Sequence, residues 1–127
     1  MINLKYENIK NFSNKIDLNR EGILIEAISK GDKIQHTKYR FPVLELIHYN
    51  NEYIIYCYII SNDFDDNWNS SPKRIKLDML TYTEKDFDTT LRLFLHKINY
   101  LQKLTNTKYK FREGKTLNNY ELRNRTI

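Results

Sequence analysis

The residues best suited to chemistry lie in the last quarter of the chain. Lys108, Lys110, Arg112, Lys115, Arg123 and Arg125 are interleaved with Tyr109 and Phe111. Cations hold phosphates and aromatic planes stack on unpaired bases, so this pattern suits a polyanion such as a nucleic acid. A solvated surface strand would carry the same residue types. A second group sits near the middle, where His36, Lys38, Tyr39 and Arg40 crowd one predicted strand. RNA cleavage needs a base for the 2′-hydroxyl and positive charge at the phosphorus, and these residues could supply both. A third feature is Trp68 beside Asp65 and Asp66 in a polar acidic stretch. That combination suits a loop contacting another protein.

Other chemistries fail on spacing. Asp63, Asp65, Asn67 and Asn69 occupy positions 1, 3, 5 and 7 of a calcium-loop template. The template needs Gly at position 6 and a bidentate Glu at position 12, where this chain has Trp68 and Arg74. His36, His48 and His96 form no i, i+4 pair and no Cys/His cluster, so no zinc site is expected. Gly22, Gly31 and Gly114 are isolated, which excludes phosphate-cradling and dinucleotide loops. No Gly-x-Ser-x-Gly elbow occurs. Cys57, the single cysteine, lies in the apolar run YIIYCYII and reads as a core residue. No cofactor or metal is expected, and no catalytic residue is assigned.

These residues need a scaffold, and hydrophobic periodicity outlines one. Residues 3–17 predict an amphipathic helix, with Tyr6, Ile9, Ser13 and Ile16 near one face. Strands follow at Ile23 to Ile28 and at Lys33 to Phe41, the latter interrupted by Pro42. Val43 to Tyr49 and Glu52 to Ile60 form the clearest hairpin. Asn50-Asn51 suits a two-residue primed turn, because Asn tolerates the left-handed conformation. That turn pairs Leu44 with Cys57, Leu46 with Ile55, and His48 with Tyr53, on the core side. The opposite face (Val43, Glu45, Ile47, Tyr49, Ile54, Tyr56, Tyr58, Ile60) is too apolar to lie wholly in water, so another layer must cover part of it. Residues 61–72 read as a loop and Lys73 to Tyr82 as a strand. Residues 84–104 carry a strong helical stripe of Phe87, Leu91, Phe94, Ile98 and Leu101, with Thr83 and Asp86 as a starting cap. Lys108 to Arg112 can form a short strand before a Glu113-Gly114 turn.

A helix, a run of about five strands, then a long helix argue for the α+β class, an antiparallel sheet with helices on one face. Residues 1–105 read as a single domain. Residues 106–127 form a basic C-terminal segment that can belong to it.

The 127 residues hold 21 Lys+Arg against 16 Asp+Glu, a formal net charge of +5. Residues 1–100 carry 14 charges of each sign, so the whole excess lies after residue 100. A neutral body with a basic end favours a polyanionic partner. No apolar run is long enough for a membrane-spanning helix, and the amino end lacks the apolar core of a secretory signal. A cytoplasmic protein with no membrane partner is expected. One Ala and 3 Gly beside 10 Tyr and abundant Asn, Ile and Lys point to an AT-rich genome.

The reading is therefore a small non-enzymatic module that binds a nucleic acid or nucleoprotein through Lys108, Tyr109, Lys110, Phe111, Arg112, Lys115, Arg123 and Arg125. The alternative is a phage or mobile-element protein that inhibits or regulates a host protein by stoichiometric binding, using Trp68, Asp65 and Asp66. In size and codon bias the chain is similar to such inhibitors, anti-CRISPR proteins included. A third reading is a ribonuclease toxin, which the chain resembles only in the composition around His36.

Overall fold

The computed structural model describes residues 3–30, 41–64, 67 and 70–126. Helix α1 (Tyr6–Ser13) leads into strands β1 (Gly22–Ser29), β2 (Val43–Tyr49), β3 (Glu52–Phe64), β4 (Ser70–Lys76) and β5 (Tyr82–Glu84). Helix α2 (Phe87–Thr105), strand β6 (Tyr109–Glu113) and helix α3 (Asn119–Thr126) complete the described chain. The strands form one antiparallel sheet in the order β4-β3-β2-β1-β6, with β5 also on β3. This is the α+β architecture expected from the periodicity.

The β2–β3 hairpin has the register set by a two-residue turn. Leu44 pairs with Cys57, Leu46 with Ile55, and His48 with Tyr53. Asn50 and Asn51 both take positive φ, 55° and 62°, as a primed turn requires. The inner face of the sheet then presents Leu44, Leu46, Ile55 and Cys57 to α2. Helix α2 answers with Leu91, Phe94, Leu95, Ile98 and Leu101, all buried, and α1 adds Ile9. Asp86 starts α2 by accepting the Thr89 N–H at 2.8 Å. Thr83, expected in that cap, lies instead in β5. Asn106 ends the helix in the left-handed conformation.

The helix expected over 3–17 is confined to Tyr6–Ser13. Its flanking Asn residues are poor helix formers. Asn8 instead turns its side chain back to accept the Lys5 N–H. The loop expected over 61–72 is shorter, because β3 runs to Phe64 and β4 begins at Ser70. The single strand expected over 73–82 is two. The chain leaves β4, makes a 3-10 turn at Asp78–Leu80, and returns as β5 beside the first half of β3. Leu77 N–H bonds the Cys57 carbonyl at 2.7 Å, which fixes the point of departure. The strand expected over 33–41 lies outside the described residues except Phe41, which is exposed and not in a strand.

The outer face is covered at one end, as its apolar residues demanded. After β6 the chain crosses the start of β1 and lays Leu117 and Leu122 on Ile23, Ile47, Ile54 and Tyr56. The crossing is close. A Cβ at Gly114 would stand 2.3 Å from Ile23 Cγ2. At Gly22, whose φ is +122°, a Cβ would stand 2.7 Å from Thr116 Cα. Only glycine allows this approach.

Candidate nucleic-acid interface

The basic segment is built into the sheet. β6 pairs with β1, placing Lys110 opposite Ile28 and Arg112 opposite Glu26. Side chains alternate across a strand, so Tyr109 and Phe111 point inward while Lys108, Lys110 and Arg112 point outward. Tyr109 is buried, and its hydroxyl donates to the Pro42 carbonyl at 2.7 Å. Phe111 is half-buried, with its ring 6.0 Å from that of Phe12. Lys108 and Lys110 are exposed. The Lys30 N–H bonds the Lys108 carbonyl at 2.8 Å, which brings a further exposed lysine to the same end. Lys115 and Arg123 are exposed on the crossing and on α3.

Two of the tail arginines are held by the body. Glu26 and Glu45 face each other across β1 and β2, and both are buried on the outer face. Two carboxylates directly opposite repel, and each has one arginine of the tail. Arg112 Nε bonds Glu26 Oε2. Arg125 Nε donates to Glu45 Oε1 at 2.7 Å, and its Nη2 reaches Glu45 Oε2 at 3.4 Å. The side chains of Arg125 and Glu45 are 3% and 2% exposed. Tyr58 adds its hydroxyl to Glu45 Oε2 at 3.4 Å, and the Arg125 guanidinium lies 5.6 Å from the Tyr56 ring centre.

Burial pushes the Glu45 carboxyl above the ordinary carboxylate range, while the Arg125 hydrogen bonds pull it down. Burial also raises the Tyr58 hydroxyl, to about 12, with the Glu45 charge adding to the effect. The Cys57 thiol is pushed up to about 12 by burial, so it stays protonated and inert.

This placement corrects the sequence expectation at two positions. Tyr109 and Arg125 lie inside the fold, where neither can touch a phosphate or a base. Phe111 offers only a partial face, and Arg112 shares its charge with Glu26. The signal for this was in the sequence: Glu26 and Glu45 interrupt otherwise apolar strands, and a buried carboxylate requires a cation. Trp68, Asp65 and Asp66, the expected protein-contacting residues, lie outside the described residues. So do His36, Lys38, Tyr39 and Arg40.

No protein-family model, no curated protein and no solved structure matches this chain.

What remains outward is a cationic row, Lys108, Lys110 and Arg112, with Lys30 beside it and Lys115 and Arg123 beyond. Tyr120, interleaved with the basic residues in the sequence but not placed in the expected site, is 74% exposed. It stands three residues before Arg123 on α3, on the same helical face. Among the described residues no group of three or more His, Cys, Asp or Glu could hold a metal ion. No described helix is long and apolar enough to cross a membrane. His48 stacks on Tyr53 with ring centres 4.8 Å apart, and His96 is exposed on α2.

Proposed function

We propose that the protein is a non-enzymatic module that binds a nucleic acid or a nucleoprotein through the outward cations of β6 and the chain that follows it. The observation that carries this reading is the alternation in β6. Its outward positions are Lys110 and Arg112, and Lys108 extends the row just before the strand, where its carbonyl accepts the Lys30 N–H. Glu26 beneath the row pairs with Arg112, so the unshared charge is carried by the two exposed lysines. Successive outward residues of a strand stand about 6.8 Å apart, so the row is a short rail of positive charge. Lys30, Lys115 and Arg123 widen it, and Tyr120 supplies an exposed ring for stacking. Such a surface gives sequence-tolerant, salt-sensitive binding.

The test is fluorescence anisotropy with labelled 20-nucleotide DNA and RNA at rising salt. Affinity should fall steeply between 50 and 200 mM salt. Lys108→Ala and Lys110→Ala should each lower the slope of log affinity against log salt by about 1. Arg125→Lys, a change inside the fold, should leave that slope unaltered. Salt-independent affinity, or slopes unchanged by both lysine variants, would refute the reading.

A further inference from the structure

Among the described residues β6 is the last strand of the sheet on its side, and its outer edge has a definite hydrogen-bonding pattern. In an antiparallel pair, hydrogen-bonded and non-hydrogen-bonded residue pairs alternate. The Lys30 N–H bonds the Lys108 carbonyl, and the Gly114 N–H bonds the Leu24 carbonyl. Lys110 and Arg112 therefore turn their backbone groups toward β1 as well. Tyr109, Phe111 and Glu113 turn theirs away from the sheet. The Tyr109 N–H is satisfied by Gln102 Oε1, reaching from α2, at 3.0 Å. Among the described residues no strand pairs with the outward groups of Phe111 and Glu113.

We infer that this edge is a docking site for an extended acidic segment of another protein, which adds to the sheet as a strand beside β6. Main-chain hydrogen bonds to Phe111 and Glu113 would supply the attachment. The side chains define the occupant. On the outer face an added strand runs beside Lys108, Lys110 and Arg112, so its residues there are Asp or Glu. On the inner face it runs beside the half-exposed Phe111, which already touches Phe12, so its residues there are apolar. The fitting sequence alternates acidic and apolar residues. A second copy of this chain does not fit. Antiparallel pairing of two β6 edges about Phe111 puts Lys110 directly opposite Arg112, and like charges so placed destabilise a sheet. The β4 edge carries Lys73, Arg74 and Lys76 and is repelled in the same way. Edge cations deter self-association, and that same charge selects an acidic strand.

The probe is the peptide acetyl-(Glu-Val)4-amide, added to the full-length ¹⁵N-labelled protein. The Phe111 and Glu113 amide signals should shift in a saturable way. The same peptide N-methylated at alternate residues keeps its charge and loses its donors, and should bind at least tenfold more weakly. Glu113→Pro removes one outward N–H and should weaken the peptide by a similar factor, with folding checked by the thermal midpoint. Lys110→Glu should abolish binding. Equal affinity for the N-methylated peptide, or no shift at Phe111 and Glu113, overturns the inference. A 20-nucleotide oligonucleotide tested in parallel keeps the two readings separable, although both use the same cations. It needs the side-chain cations alone, so Glu113→Pro should not weaken it.

Discussion

At the scale of single residues, the pair Glu45–Arg125 matters most. A carboxylate with 2% of its side chain exposed cannot remain charged without a partner at hydrogen-bond distance. The Arg125 fork supplies that partner, and the pair pins the C-terminal helix to the sheet. Arg125→Ala strands the Glu45 charge and should cost about 3–5 kcal/mol of stability. Replacing both residues with apolar ones, as in Glu45→Leu with Arg125→Met, should be close to neutral, because the desolvation cost vanishes with the charges. Urea denaturation of the two variants checks this. A loss under about 1 kcal/mol for Arg125→Ala would show the pair to be more hydrated than its geometry indicates. The same residue scale shows why a count of charges misleads. Glu26 and Glu45 count as acid in a neutral body, yet they are internal ligands of the tail.

At the scale of elements, α2 is the organising piece. Its apolar stripe was legible because a period near 3.6 held over five positions matches a helix and conflicts with the two-residue period of a strand. Its start was legible only in part. The cap is Asp86, which accepts both the N–H and the hydroxyl of Thr89. Asp86→Ala should lower the thermal midpoint by roughly 4 °C, the usual effect of losing one cap in a domain of this size. Thr83→Ala should leave the helix start unaffected in the same measurement. The hairpin register was equally legible, since the turn length fixes every partner. The division of residues 73–82 into β4, a 3-10 turn and β5 was not. The alternation across those residues fits one strand. What divides them is that β3 is 13 residues long and has room for two partners on the same side. Helix α3 was not legible either. It has little apolar periodicity, and its place depends on Leu122 and Arg125 meeting a surface made by other strands.

At the scale of the whole molecule, charge and pH are linked through a few carboxyls of opposite behaviour. Burial raises Glu45 above 4.5, so the folded state takes up its proton more readily than the unfolded chain. This group therefore adds stability as pH falls from neutrality through its folded value toward 4.5. Asp88 and Asp86 behave in the opposite sense. The Tyr6 hydroxyl and Arg92 hold Asp88 below 3.8, and Thr89 holds Asp86 below it. Their contribution is present above 3.8 and is lost as pH falls through their folded values. The thermal midpoint should accordingly hold or rise slightly from pH 7 toward pH 4.5 and decline below about pH 3.8. A steady decline starting at neutrality would contradict this ordering of the carboxyls.

The amino-acid order alone determined what depends on neighbours along the chain. The α2 stripe, the Asn50-Asn51 turn with its register, the α+β class and the basic character of the last 27 residues are all of this kind. Each follows from local geometry, where the period of the backbone and the chemistry of adjacent residues suffice. Only the tertiary structure decided which cations face outward. Lys110 and Arg125 are alike in sequence terms, yet one lies on an open strand and the other answers a buried Glu45 contributed 80 residues earlier. That outcome turns on desolvation, and desolvation exists only once distant segments have packed together.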